Sequence, residues 1–187
     1  MKLHQLLENC AHRLRYRATK PYLASCNTLV DLGCGSSYRF LKESHKMAAR
    51  CWGLDINVVE KKDGNITLCR ADITSPLPFE DETVDIVTCL AVFEHIADYD
   101  GLLKECYRIL RPEGRIIITT PTRLGIKVHE VLRRFRLVRD VRKDEHKDHS
   151  LSKEKLSRRT QVVGFDILAA RTFEWGLNIL LVATKPK

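Results

Sequence analysis

Residues 28–37 read TLVDLGCGSS: a short apolar run ends in an acid, and two glycines one residue apart follow it. The residues after them can begin a helix. A strand, a glycine turn and a helix in this order bring backbone atoms close to the polar end of a ligand in α/β proteins. The stretch therefore predicts an α/β fold with a ligand near Gly33 and Gly35.

The rest of the chain alternates between strand and helix patterns. Residues 84–90 (VDIVTCL) are almost continuously apolar, as expected for a parallel strand that is covered on both faces. Residues 165–173 and 178–184 predict a terminal hairpin around Trp175 and Gly176. Strands that alternate with helices indicate βαβ units and a parallel sheet. Further strands are predicted at 51–54, 66–70 and 116–120, and helices at 38–49, 99–110, 125–141 and 152–162.

The opening segment, residues 1–25, predicts an amphipathic helix. Its apolar residues recur at helical spacing, and Pro21 is expected to end the helix. The predicted stripe consists of Leu3, Leu6, Leu7, Cys10 and Leu14.

The composition fits one domain over residues 1–187, with 44% hydrophobic and 30% charged residues. The longest apolar runs are far shorter than the roughly 20 residues of a membrane-spanning helix, and residues 1–22 lack the apolar stretch of a secretion signal. We therefore expect a cytoplasmic protein. The seven cysteines are scattered without C-x-x-C spacing, so we expect reduced thiols and no metal site.

Positive charge is concentrated outside the predicted sheet. Residues 122–160 contain 13 basic and 6 acidic residues, whereas residues 26–121 contain 11 basic and 15 acidic ones. A basic helix of this kind can be a solvated face, a lid over a substrate, or a surface for a membrane or a nucleic acid. We favour a basic helical insertion over residues 122–160 that caps the substrate pocket and attracts an anionic substrate.

Three acids follow three consecutive predicted strands: Asp31, Asp55 and Asp72. Each alone is best explained as a turn or helix-cap residue. Together with the glycine turn, however, they would line one crevice, because ligands of open α/β sheets bind outside the carboxyl ends of the strands. Asp55 lies 20 residues beyond Gly35, a position from which a carboxylate can accept hydrogen bonds from ribose hydroxyls.

A dinucleotide-binding fold also begins with G-x-G, but it needs a third glycine three residues later, and this chain has Tyr38 there. An acid two residues before the first glycine is also ill suited to a phosphate. Asp31 suits a ligand with an ammonium group, such as the methionine end of S-adenosylmethionine.

From about residue 28 to the C-terminus the chain resembles the class I S-adenosylmethionine-dependent methyltransferases, and among them the branch called methyltransferase type 11. The shared motifs are VDLGCGSS, GLDIN, RADI, LPFEDETVDIVTCLAVFEHI, LRPEGRIIITTP and the ending GFDIL…ILLVATKP. Each motif alone is common, but their order and spacing together are specific. The resemblance implies a Rossmann-like class I methyltransferase fold: a seven-stranded, mainly parallel sheet with an antiparallel last strand and helices on both faces.

The resemblance also implies how the methionine end of the donor would be held. Backbone atoms of Gly33, Cys34 and Gly35 would pass close to the methionine moiety. Asp31 would bind its amino group, directly or through water, and Leu90 would lie beside the methionyl chain.

The same resemblance implies an adenosine site. Asp55 would hold the ribose, Ile56 would pack on the adenine, and Asp72 with Ile73 would meet the adenine edge. One position departs from the family pattern, because a third glycine two residues after the second is replaced by Ser37.

By this resemblance the protein would move a methyl group from S-adenosyl-L-methionine to an acceptor, leaving S-adenosyl-L-homocysteine. We expect a small acceptor, and the basic segment favours an anionic one. A small molecule, a lipid or a saccharide would fit, and peripheral contact with a membrane stays open. His95 and His149 are candidate general bases if the acceptor must lose a proton. Glu94 and His95 are equally consistent with a structural role at a helix start, and His149 lies in a charged loop.

Two other functions stay open. The first is RNA methylation, which the basic charge permits. The fourth predicted strand nevertheless ends in LAVF, not in the Asn/Asp-Pro-Pro-aromatic motif used on exocyclic amines of bases, and no Pro-Cys nucleophile is present. The second is a non-catalytic cofactor-binding protein that acts as a partner, which the intact set of three acids disfavours.

Overall fold

The structure, a computed structural model, describes residues 3–134 and 151–187. Within these residues five α-helices accompany one eight-stranded sheet. The helices are α1 (Leu3–Thr19), α2 (Arg39–Ser44), α3 (Tyr99–Ile109), α4 (Arg123–Arg134) and α5 (Lys153–Val163). The strands are β1 (Cys26–Leu32), β2 (Ala48–Asp55), β3 (Lys61–Asp63), β4 (Ile66–Arg70), β5 (Val84–Leu90), β6 (Leu110–Pro121), β7 (Asp166–Phe173) and β8 (Asn178–Thr184).

The strand order is β3-β4-β2-β1-β5-β6-β8-β7. Pairing is parallel from β4 to β6, and β8 lies antiparallel between β6 and β7. The mixed α/β sheet and its terminal hairpin are therefore confirmed. The predicted count of seven strands was wrong, because β3 forms a short antiparallel hairpin with β4. Its three residues are polar and exposed, so no apolar pattern marks them as a strand.

Two hydrophobic clusters cover the two faces of the sheet. One includes Leu103 of α3 and Leu156 of α5, and the other includes Leu41 of α2 and Ala18 at the end of α1. Helices on both faces explain why β5 is buried along nearly its whole length. None of the helices in the described ranges combines the length and the apolarity needed to cross a bilayer.

Several boundaries differ from those predicted. α2 ends at Ser44 rather than near residue 49, since a short 3₁₀ helix (His45–Met47) leads directly into β2. β6 runs through Pro112 and Gly114, where a break was predicted, because the pairing with β5 shifts register between Val84 and Ile86 and absorbs the extra residues.

Two helix boundaries in the last third can be compared with their predictions. Ser152 is the predicted N-cap of α5, and its Oγ accepts a hydrogen bond from the Lys155 N–H at 3.1 Å. α4 begins at Arg123, two residues before the predicted start. The predicted continuation beyond Arg134 lies outside the described residues.

The predicted apolar stripe of α1 is only partly covered, because Leu6 and Cys10 are exposed while Leu7 and Leu14 are half-buried. The helix meets α2, whose surface presents polar groups beside one aromatic ring, so polar residues of α1 make the contacts. The contacts are Asn9 Oδ1 with Arg39 Nη1 at 2.7 Å, His12 Nε2 with Glu43 Oε1 at 3.1 Å, the Tyr16 hydroxyl with the Glu43 carbonyl at 3.1 Å, and the Tyr16 and Phe40 rings at 6.1 Å.

The carboxyl ends of the parallel strands meet at one edge of the sheet. The turn between β7 and β8 lies at the same edge, because Asn178 at the start of β8 pairs with Pro121 at the end of β6. This edge therefore gathers the glycine turn after β1, the acid that ends β2, the acid after β4, and the loops after β5 and β6.

The opposite edge depends on a buried carboxylate. Asp85 in β5 accepts hydrogen bonds from the N–H groups of Asn27 and Thr28, at 3.1 and 2.7 Å, and from Arg111 Nε at 2.6 Å. These bonds join the start of β1 to β5 and to the first residues of β6.

We expect Asp85→Ala to lower the free energy of unfolding by roughly 3 kcal/mol or more, because two N–H groups of β1 would lose their acceptor in a buried place. The exposed Asp81, which pairs with Arg108 at 2.7 Å, is a matched control. Its replacement by Ala should cost at most about 1 kcal/mol. Urea denaturation measures both, and equal losses in the two variants would contradict this account of the carboxylate at position 85.

Candidate functional site

The glycine turn after β1 is tied to the end of β2 by its own N–H groups. The N–H groups of Gly33 and Cys34 both donate to the Leu54 carbonyl, at 2.8 and 3.3 Å. The Gly35 N–H donates to Asp55 Oδ2 at 2.9 Å. A phosphate-binding loop directs such N–H groups at its ligand. Here all three are engaged within the protein, so the turn is not built to hold a phosphate.

Gly33 also fixes the loop after β5. It has a φ of +71°, and a Cβ atom added there would lie 2.4 Å from Cγ2 of Val92. Only glycine satisfies both the left-handed backbone and this close approach. The turn after β1 and the loop after β5 therefore pack directly against each other.

Asp31 is a buried acid beneath the glycine turn, with 3% of its surface exposed. Its Oδ1 accepts a hydrogen bond from the Thr88 hydroxyl at 2.6 Å. Burial raises the pKa of Asp31 from 3.8 to about 7; the Thr88 hydrogen bond and Arg15 oppose this rise, and the nearby Asp55 adds to it. The carboxyl group is thus poised to gain a charge when a cation arrives.

Arg15 of α1 brings a cation to the same place. Burial lowers the pKa of its guanidinium, and the carboxylates of Glu94, Glu174 and Asp31 oppose this. Among the described residues none accepts a hydrogen bond from the buried Arg15 Nε. A buried donor of this kind is costly to leave unpaired, so Nε has a free hydrogen-bonding capacity that a ligand could use.

Asp55 and Ile56 form the adjacent part of the edge. Asp55 accepts the Gly35 N–H on Oδ2 and the Asn57 N–H at 2.7 Å on Oδ1, so its carboxylate is held in a single orientation. Ile56 is 51% exposed, although it is a large aliphatic residue beside a buried strand. An adenine ring is the kind of flat apolar surface that would cover it.

Asp72 is exposed and makes a turn of its own. Its Oδ1 accepts hydrogen bonds from the Thr74 N–H at 2.9 Å and from the Thr74 hydroxyl at 2.7 Å, and these bonds lower its pKa. The neighbouring Ile73 packs against the core. Asp72 therefore stabilises a turn, as expected for a single acid after a strand. Its other carboxylate oxygen, Oδ2, would be the one to contact a ligand.

The loop after β5 carries the other predicted residues. Leu90 is half-buried at the end of the strand, and Glu94 and His95 lie in a 3₁₀ helix that follows it. Glu94 Oε2 accepts a hydrogen bond from the Thr120 hydroxyl at 3.1 Å, and His95 is exposed. The second predicted base, His149, lies outside the described residues.

The structure thus joins Gly33, Cys34 and Gly35 to the end of β2 through hydrogen bonds of the turn, with Asp31 close to Asp55. The remaining predicted residues lie along the same edge: Ile56, Asp72, Ile73 and Leu90. Sequence reasoning missed Arg15, Thr88 and Val92. The only signal for Arg15 was a basic residue on the helix that precedes the turn. In the part of the chain that the structure describes, no cluster of three histidine, cysteine or acidic side chains could hold a metal ion.

Known proteins resemble the part of the chain that contains these residues. Residues 30–118 match the family described as a methyltransferase domain. The matched segment, which is just under half of the chain, is similar to the class I S-adenosylmethionine-dependent methyltransferases. The matched range begins within β1 and ends within β6, so it contains the glycine turn and the ends of β2, β4 and β5.

Curated relatives resemble the same part of the chain. A tocopherol O-methyltransferase of Arabidopsis thaliana is 33% identical over 104 residues, which are 49% of this chain and 29% of the relative. The ubiquinone biosynthesis O-methyltransferase of Pseudomonas putida is 27% identical over 105 residues, 51% of this chain and 44% of the relative. The chain therefore matches less than half of the length of each of these relatives.

Solved structures show the same fold at low sequence identity. An S-adenosylmethionine-dependent methyltransferase from Mesorhizobium loti gives a TM-score of 0.68 at 17% identity, covering 91% of this chain and 95% of that one. The [4+2]-cyclase SpnF gives a TM-score of 0.71 at 16% identity, covering 94% and 81%. The shared fold therefore extends well beyond the residues of the family match.

The raised pKa of Asp31 predicts a pH-dependent stability of the ligand-free protein. The pKa of Asp31 is about 7 in the folded protein, above its ordinary value of 3.8. The stability that the protonated Asp31 contributes to the folded protein is therefore fully present below about pH 4, and it is lost as the pH rises through 7. The difference is on the order of 4 kcal/mol.

Denaturation curves of the wild-type protein and Asp31→Asn across this range measure the effect. The wild type should lose stability relative to the variant as the pH rises from 4 to 7. Asp166→Asn, at an exposed position of β7, should follow the wild type. Parallel curves for the wild type and Asp31→Asn would show that Asp31 ionises normally.

Proposed function

We propose that this protein is an S-adenosyl-L-methionine-dependent methyltransferase that acts on a small-molecule or lipid acceptor. The observation that carries the proposal is the pair of Arg15 and Asp31 beside the glycine turn: Arg15 is half-buried with a buried Nε atom, Asp31 is buried, and the two groups interact electrostatically. A cation with an unpaired donor and an acid ready to ionise complement the carboxylate and the ammonium of an amino acid. The methionine end of the donor is such a zwitterion.

In this proposal, different residues at and around the glycine turn bind different groups of the donor's methionine end. The Asp31 carboxylate accepts from the ammonium, and Thr88 keeps that carboxylate in place through its hydroxyl. Arg15 Nε donates to the donor's carboxylate. Gly33, Cys34 and Gly35 let the backbone pass beside the methionine moiety, since their N–H groups are already engaged and their oxygen atoms suit an ammonium.

The adenosine end lies beyond Asp55. Each Asp55 oxygen accepts one backbone N–H and retains capacity for a ribose hydroxyl. Ile56 supplies an exposed aliphatic side chain to the adenine ring, Asp72 and Ile73 line its edge, and Leu90 lies beside the methionyl chain. Because the Asp55 carboxylate is already oriented by two hydrogen bonds, we expect donor binding to cost less side-chain conformational entropy.

When bound, the donor supplies an activated methyl group on a sulfonium, and its loss leaves S-adenosyl-L-homocysteine. The protein's part is to hold an acceptor atom in line and to keep water out. A base is needed only if the acceptor must lose a proton. His95 and His149 keep that role in the proposal, and Glu94, with its hydrogen bond from Thr120, is a further candidate.

The acceptor class is inferred from relatives, because the fold alone does not decide the reaction. The [4+2]-cyclase SpnF has a similar fold and is named for a different reaction. Relatives named for tocopherol and ubiquinone biosynthesis are O-methyltransferases. They support an oxygen nucleophile on a small or lipid acceptor for this chain.

The proposal is tested by incubating the protein with donor that carries a radiolabelled methyl group and with fractionated cell extract. Label should enter a small-molecule or lipid fraction, and Asp55→Ala should abolish it by weakening donor affinity. Label in RNA would replace the proposed acceptor with a nucleic acid. Donor binding without label in any fraction would indicate a non-catalytic cofactor-binding protein.

The role of Arg15 is tested with two ligands that differ in the amino-acid part. Arg15→Gln should weaken binding of S-adenosylhomocysteine by roughly 10-fold to 100-fold, the range of a hydrogen bond to a charged group. Binding of 5′-methylthioadenosine, which lacks the amino-acid part, should not change. Calorimetry measures both affinities.

Two variants serve as controls for that experiment. Arg13→Gln, at an exposed position of the same helix, should behave as the wild type. Asp55→Ala should weaken both ligands, because both contain the ribose. An equal loss of both ligands in Arg15→Gln would mean that Arg15 only supports the fold of the site.

A further inference from the structure

Helix α4 begins where β6 ends, at the edge of the sheet that carries the site. Its first turn is fastened to the turn between β7 and β8. The Thr122 N–H donates to the Leu177 carbonyl at 2.8 Å and the Thr122 hydroxyl to the Gly176 carbonyl at 2.8 Å. A Cβ atom added at Gly125 would lie 2.1 Å from the Leu177 carbonyl oxygen. The start of the helix and the hairpin turn are thus in direct contact.

The outward side of α4 combines aliphatic and basic residues. Leu124 and Val131 are 54% and 55% exposed, and Lys127 and Arg134 are exposed as well. The spacing of these four residues places them on one side of the helix. The hairpin turn adds Trp175, which is 85% exposed. These five residues are called the α4 surface.

The α4 surface exposes two large aliphatic side chains and an indole. A partner with an apolar region would bury these groups. Basic residues between them need an anionic partner. A bilayer with anionic headgroups meets both needs, because the aliphatic and indole groups enter the interface while lysine and arginine stay at the headgroups. RNA meets only the second need, since phosphates leave Leu124 and Val131 in water.

We infer that the α4 surface docks this protein on an anionic membrane. The inference goes beyond methyl transfer, because docking does not depend on the donor. It also agrees with where the surface lies. Trp175 follows Glu174, one of the carboxylates that influence Arg15, so a docked protein would hold its site close to the bilayer and to any lipid acceptor in it.

Vesicle sedimentation tests the inference. The wild type should bind vesicles of phosphatidylcholine with phosphatidylglycerol, bind much less to phosphatidylcholine alone, and lose affinity as salt is added. The double variant Lys127→Gln/Arg134→Gln should lose roughly 30-fold in affinity for the anionic vesicles. The double variant Leu124→Ser/Val131→Ser should lose roughly 10-fold or more.

A matched control separates this surface from apolar exposure in general. Val162 on α5 is 76% exposed, and α5 packs against α3 on the other face of the sheet from α2. Val162→Ser should therefore bind vesicles as the wild type does. Equal losses in Val162→Ser and in the α4 variant would overturn the assignment to this surface.

Tryptophan fluorescence gives a second readout. Trp175 is exposed, whereas Trp52 is half-buried against the Phe79 ring at 5.7 Å. Vesicles should shift the emission of the wild type to shorter wavelength, and Trp175→Phe should lose most of that shift. A shift that survives in Trp175→Phe would show that Trp175 does not enter the bilayer.

Two further outcomes would overturn the inference. The first is tight RNA binding, without vesicle binding, that Lys127→Gln/Arg134→Gln weakens and Leu124→Ser/Val131→Ser leaves intact. The second is self-association that the serine variant abolishes, again without vesicle binding. Affinity for S-adenosylhomocysteine should stay unchanged in all these variants. A wild type that binds vesicles but not S-adenosylhomocysteine would refute the proposed function and leave this inference standing.

Discussion

The contact between the glycine turn and the end of β2 is the constraint on which the site depends. One carbonyl, that of Leu54, accepts two N–H groups of the turn, and one carboxylate oxygen of Asp55 accepts a third. These bonds hold the turn against the end of β2 and orient the Asp55 carboxylate, and they link the carboxyl ends of β1 and β2. Because Gly33 has no side chain, Val92 of the loop after β5 packs directly against the turn. Each later feature of the edge is placed relative to this arrangement.

The electrostatics of the site follow from that packing. The same layers that bury Asp31 also raise its pKa to about 7, and they surround the Arg15 guanidinium with three carboxylates. Isolated buried charges are unfavourable, but a ligand with both charges can relieve both penalties at once. Under the proposed function, the site is therefore complementary to a zwitterion rather than to a simple anion or cation. This property separates it from a nucleotide phosphate site that uses a similar strand, turn and helix.

The sequence predicted the parallel strands, the terminal hairpin and the glycine turn, because apolar runs and glycine turns are local patterns. It could not predict β3, whose polar residues form a hairpin only because β4 offers an open edge. It also misjudged α1: Leu6 and Cys10 are exposed, and Asn9, His12 and Tyr16 make the contacts. Arg15 was missed for the same reason, since the face that a helix buries depends on its neighbour.

The polar docking of α1 has a consequence for the whole domain. The contacts between α1 and α2 are hydrogen bonds and one aromatic pair, which hold a helix less firmly than a closed apolar seam would. If Arg15 contributes to donor binding, then part of the binding free energy is also docking free energy for this helix. Donor binding would therefore stabilise the docking of α1 on the rest of the domain. Backbone amide exchange in residues 3–19 would then report the occupancy of a site that lies at the far end of the helix.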